Sequence, residues 1–165
     1  MTVANLVTGF RLLPFALFIW FAHQGNIVPA ASMFLLAWGL DAVDGLAARA
    51  LQQETVFGYV FDKAVDRLVL VCGLFVLIVL NVVPLGSLFL ITKDVIVIPT
   101  VVRRGAEGAV FQGLGLLGRV ASLLQGSALL WLMLGWPGSG LIISVVGIFS
   151  VWVGVRYLQE LQDVE

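Results

Sequence analysis

Residues 41–66 read DAVDGLAARALQQETVFGYVFDKAVD, which places four aspartates between two apolar runs, IVPAASMFLLAWGL at 27–40 and LVLVCGLFVLIVL at 68–80. Asp41 and Asp44 are three residues apart, and Asp62 and Asp66 are four apart. If each run continues as a helix, each pair shares one helix face. A hairpin with its turn near residues 49–55 brings both pairs to the same depth.

The rest of the chain sets the solvent in which that hairpin sits. Of its 165 residues 61% are hydrophobic and 12% charged, and the mean hydropathy is +1.08. So short a chain cannot bury that much apolar side chain inside itself, which excludes a water-soluble globule and equally excludes disorder. Crossing the hydrocarbon core takes roughly 20 mostly apolar residues. The sequence divides into six such stretches, near Leu12 to Ala22, Ile27 to Ala48, Val56 to Leu80, Leu85 to Val102, Leu114 to Leu134 and Leu141 to Leu158. The fold class expected is all-α, a single polytopic membrane domain over 1–165 with six transmembrane helices.

Loop charge orients it. The turns at 23–26, 81–84 and 135–140 carry no Lys, Arg, Asp or Glu, whereas the opposite side carries Arg49, Arg103, Arg104 and Arg156. Positive charge marks the cytoplasmic side, so both termini and the acidic hairpin belong there. No cleavable leader is expected, because another span follows the first directly. A net charge of −1 gives no footprint for nucleic acid. The lone Cys72, inside an apolar run, reads as a buried free thiol and rules out a disulfide framework.

An ionisable group inside a span costs roughly 3 kcal/mol by insertion scales, so each one is a functional candidate. Four converging carboxylates repel one another at low dielectric unless they are protonated or bind cations. Hard divalent ions such as Mg²⁺ or Mn²⁺ suit an all-oxygen donor set, and His23, the single histidine, lies toward the opposite surface. Two such ions side by side recur in displacement at phosphorus. Gly45, Ala47, Ala48, Thr55 and Gly58 allow close approach of a helix or ligand, and Arg49 offers a fork for phosphate. The rival reading is a structural network in which Lys63, Arg67 and Arg49 neutralise the acids. Further along, Lys93 and Asp94 fall mid-span and Arg119 follows Gly118. The cations on the acidic side, Lys93, Arg119, Arg103 and Arg104, suggest a pocket for an anionic phosphate monoester, although Arg103 and Arg104 also read as membrane-edge anchors.

The stretch from Asp41 to Asp66 fits D-x2-D-G-x2-A-R-x8-G-x3-D-x3-D without a mismatch. It thereby resembles the CDP-alcohol phosphotransferase family of membrane phospholipid-synthesis enzymes, whose six-helix topology covers most of the chain. The resemblance implies that Asp41, Asp44 and Asp62 hold two divalent cations, and that Asp66 touches the metal site and acts as general base. It implies that Asp44, Gly45, Arg49, Thr55 and Gly58 line the CDP pocket. Asn5 and Thr8, in the Asn5-Leu6-Val7-Thr8 stretch ahead of Arg11, become nucleotide neighbours; as a bland alternative they cap a helix.

ITKDVIVIP and LLGRVASLLQ are similar to the acceptor segments of the phosphatidylglycerophosphate synthase and cardiolipin synthase branches, with Lys93 in place of Arg, and Arg119 and Ser122 in place of Lys and Thr. Val101 stands where the first branch has a second Arg. The expected activity is phosphatidyl transfer from CDP-diacylglycerol to a glycerol-type acceptor, glycerol 3-phosphate ahead of phosphatidylglycerol, with release of CMP. Homodimerisation among membrane lipids is the family expectation. Two non-enzymatic readings stand against it: a divalent-cation transporter, for which the outer ends of the spans lack acids, and an inactive scaffold, for which all four acids are too many.

Overall fold

A computed structural model describes the backbone over residues 10–51, 56–96 and 115–162, and side chains over 10–40, 65–96 and 117–159. Among the described residues all regular structure is helical: α1 Leu12–His23, α2 Ile27–Leu51, α3 Val56–Val79, a 3-10 segment Leu85–Ile91 that continues as helix through 92–96, α4 Gly115–Met133 and α5 Ser139–Gln162. Five of these elements lie within a few residues of expected spans, while the fourth span, expected over Leu85 to Val102, is described only to residue 96. Among the described residues one stretch, Ser139–Gln159, is long and apolar enough by itself to cross a membrane. Leu12–His23 and the described parts of α2 and α4, Ile27–Leu40 and Leu117–Met133, are shorter apolar helical stretches. The chain forms two compact units, Met1–Val83 and Pro84–Glu165.

In the first unit α1 packs on α2, and both meet α3. Their joint is tight: Gly25 adopts φ +75°, and its N–H and that of Asn26 return to the carbonyls of Ala22 and Phe21. Gly takes that left-handed position without a Cβ penalty. Pro14 is harmless in the first turn of α1, where a missing N–H breaks no helical bond. Phe15 and Phe18 from α1, Phe34 from α2 and Leu74 and Leu77 from α3 are buried together, with ring centroids 5.7 Å apart for Phe15–Phe18 and 5.6 Å for Phe18–Phe34. At Gly73 α3 lies against these rings, where a Cβ would make ordinary contact with Phe34 at 3.4 Å.

The opposite face of α3 carries Leu68, Cys72, Phe75 and Val79, all exposed. Cys72 is therefore a free thiol on an outward apolar face, which corrects the expectation that it is buried. An apolar run cannot separate core from outer face when the surrounding solvent is itself hydrocarbon.

The second unit opens unlike the uniform span expected from Leu85. Pro84 is extended (φ −70°, ψ 152°), and the chain then winds as a 3-10 helix. Buried Ser87 donates from both its backbone N–H (3.0 Å) and its hydroxyl (2.5 Å) to the Pro84 carbonyl. Such a turn concentrates hydrogen bonding at its own start and suits a short segment between elements. This segment packs on α5, which also contacts α4. Gly147 faces the Phe89 ring, while Gly154 faces Ile96 and the Lys93 backbone. The α4–α5 turn is fastened by Trp131, whose indole donates to the Pro137 carbonyl at 3.0 Å and meets Trp136 edge-on.

Candidate functional site

The acidic hairpin is the first region. Asp41, Asp44, Gly45 and Arg49 lie in the last three turns of α2, and Gly58, Asp62 and Lys63 in the first two of α3; both backbones are helical, so the expected i,i+3 and i,i+4 registers hold. The side chains of these residues, together with Asn5, Thr8, Thr55, Arg103 and Arg104 altogether, lie outside the described residues.

Asp66, one turn further into α3, is described, and it has a partner that sequence reasoning missed. Arg11, the residue just ahead of α1, donates from Nη1 to Asp66 Oδ1. Their relative exposures are 1% and 17%. Arg11 takes its place because its carbonyl accepts the Phe15 N–H at 3.3 Å, so it caps α1 from a helical conformation with its side chain turned into the unit. A guanidinium buried to this degree requires a carboxylate, and a carboxylate at this depth requires donors. The available signal was an arginine opening an apolar span with no acidic neighbour in sequence.

The donor chemistry of the hairpin suits a hard divalent cation. Four aspartates supply only oxygen, Asp66 has its Oδ1 engaged as an acceptor, and no histidine or cysteine stands within the stretch. Among the described side chains there is no cluster of three or more His, Cys, Asp or Glu, so the fit rests on donor type and helical register.

The second region is a buried polar cluster in the unit formed by residues 84–165. Lys93 is 2% exposed, Asp94 0%, Gln125 2% and Ser150 1%. Lys93 Nζ donates to Ser122 Oγ at 3.1 Å and lies 3.9 Å from Asp94 Oδ1. Ser122 in turn donates to the Gly118 carbonyl at 3.0 Å. Gln125 Nε2 donates to the Leu90 carbonyl (2.6 Å) and to Asp94 Oδ2 (2.8 Å). Ser150 Oγ donates to the same carbonyl (2.9 Å) and accepts the Lys93 backbone N–H (3.1 Å). The expected Lys93 and Ser122 are thus brought together, whereas Arg119 is exposed on α4. Gln125 and Ser150 escaped notice because neither is charged; their signal was a polar residue inside an apolar span.

Comparison with known proteins covers the sequence of both regions. The sequence model described as CDP-alcohol phosphatidyltransferase matches residues 1–155. A Rickettsia felis CDP-diacylglycerol–glycerol-3-phosphate 3-phosphatidyltransferase is 32% identical over 126 residues, 74% of this chain and 68% of the relative. A Pseudomonas fluorescens protein of the same name is 33% identical over 81 residues, 47% of this chain and 42% of its own. The human CDP-diacylglycerol–inositol 3-phosphatidyltransferase is 40% identical over 70 residues, 42% of this chain and 32% of its own. The similarity to the latter two thus covers less than half of each relative's length.

Proposed function

The chain belongs to the CDP-alcohol phosphatidyltransferase family, and from that premise we propose that it transfers a phosphatidyl group from CDP-diacylglycerol to glycerol 3-phosphate, releasing CMP. The observation that carries this reading is the unbroken signature Asp41–Asp66 laid along two consecutive helices. Relatives named for glycerol-3-phosphate transfer favour that acceptor. The buried Lys93–Asp94 pair keeps phosphatidylglycerol as a second reading of the acceptor. Family membership also favours an enzyme over a cation transporter or a scaffold.

In this reading Asp41, Asp44 and Asp62 hold two Mg²⁺ or Mn²⁺ ions, with Asp66 beside them. When bound, the cations neutralise charge on the diphosphate and lower the proton affinity of the acceptor hydroxyl. Arg49 pairs with the pyrophosphate, and Asn5, Thr8, Thr55 and the glycines at 45 and 58 border the nucleotide. Lys93 and Arg119, with Arg103 and Arg104, attract the acceptor's phosphate. Asp66 takes the hydroxyl proton as the acceptor oxygen bonds to the β-phosphorus and the bond to CMP breaks. The protein works as an integral membrane homodimer with this site facing the cytoplasm.

The test is Asp66→Asn in the full chain. Turnover should fall by roughly 10²-fold or more, the scale of a lost general base, while CDP still binds in a calorimetric or filter assay. Unchanged turnover removes Asp66 as the base.

A further inference from the structure

We propose that Gln125 is a positioning residue for the acceptor: it clamps the Asp94 carboxylate against the Leu90 carbonyl and so fixes the direction of the Lys93 ammonium. This rests on the reading of Lys93 as an acceptor contact.

Lys93 and Asp94 are adjacent in the helical stretch that follows the 3-10 segment. Two other helices hold them. Ser150 of α5 holds the Lys93 backbone N–H, and Gln125 of α4 holds Asp94 Oδ2 at 2.8 Å. Both also converge on the Leu90 carbonyl, one turn earlier in the same segment. The ammonium is then shared between Ser122 Oγ at 3.1 Å and Asp94 Oδ1 at 3.9 Å.

The amide of Gln125 is used on one side only. Its Nε2 serves two oxygens at close range, with Ser150 Oγ a third at 3.4 Å, whereas its buried Oε1 has no hydrogen-bond partner. A flipped amide would set oxygen against a carbonyl and a carboxylate, so the network fixes the orientation. An unpartnered buried oxygen is a cost that a leucine of similar volume avoids. Nε2 offsets that cost by serving the Leu90 carbonyl and the buried Asp94 carboxylate, which a leucine would deprive of this donor, and in doing so it sets the edge that Asp94 turns to the Lys93 ammonium.

The experiment measures steady-state kinetics of the full chain in lipid bilayers, with CDP-diacylglycerol as donor and glycerol 3-phosphate as acceptor. Gln125→Leu should raise the acceptor KM about tenfold, the scale of one hydrogen bond to a charged group, and leave the donor KM within about twofold. Gln125→Glu, which faces one carboxylate with another, should do the same or worse. The exchange Asp94→Asn with Gln125→Glu restores a donor–acceptor pair and should recover part of the acceptor KM relative to Gln125→Glu alone, a comparison that stands even if Gln125→Leu fails to fold. An unchanged acceptor KM in Gln125→Leu, an equal rise in both KM values, or an exchange no better than Gln125→Glu overturns the proposal. Lys93→Gln separates the two levels. If it leaves the acceptor KM unchanged, the assignment of Lys93 fails and this inference with it; if it raises that KM while Gln125→Leu does not, only the role of Gln125 fails.

Discussion

Arg11 and Asp66 stand 55 positions apart in sequence and meet inside the first unit. Removing the guanidinium takes a charge-assisted hydrogen bond from Asp66 and empties a site that is 1% exposed, which costs on the order of 2–3 kcal/mol. Arg11→Ala should therefore lower the thermal unfolding temperature markedly, and turnover with it. Arg11→Gln combined with Asp66→Asn replaces the ions by amides of similar shape. That double variant should regain most of the stability, measured by thermal unfolding in detergent, yet remain inactive. A double variant as unstable as Arg11→Ala would mean that the ion pair is not what holds the start of α1. This pairing was illegible in the sequence: charge spacing along one helix announces itself, whereas a partner on another helix depends on packing. The same holds for Gln125 and Asp94, joined across 31 positions.

At the scale of the element, α5 shows how close approach is encoded. A Cβ on Gly147 would fall 2.6 Å from Phe89 Cε1 and nearly as close to Cγ, so the ring's root is blocked as well as its edge. Gly147→Ala should destabilise by about 1–3 kcal/mol, as overpacking does, and trimming Phe89 to Ala in the same chain should return part of that loss. Gly39, within α2, has nothing within 4 Å of a built Cβ. Gly39→Ala should be neutral or stabilise by up to about 1 kcal/mol through helix propensity. Thermal unfolding of the two variants side by side checks the contrast. Helix positions were legible because apolar runs and their breaks are local. The 3-10 opening at Leu85–Ile91 was not, because it depends on Pro84 geometry and the burial of Ser87. The exposure of Cys72 was equally hidden, since inner and outer faces of α3 are alike in composition.

Across the whole molecule, the family match over residues 1–155 takes in the sequence of the acidic hairpin in one compact unit and of the Lys93 cluster in the other. The four aspartates and their spacing were readable from the outset because chemistry fixes them; the depth at which Lys93 is buried was readable only as a mid-span cation. The central claim is that these parts make one metal-dependent phosphatidyltransferase. The most direct measurement is CMP release from CDP-diacylglycerol by the purified full chain in bilayers, with glycerol 3-phosphate or phosphatidylglycerol as acceptor. The account predicts release that requires Mg²⁺ or Mn²⁺, stops on chelation, and is fastest with glycerol 3-phosphate. A folded protein that releases no CMP with either acceptor, or releases it equally well in excess chelator, would contradict it.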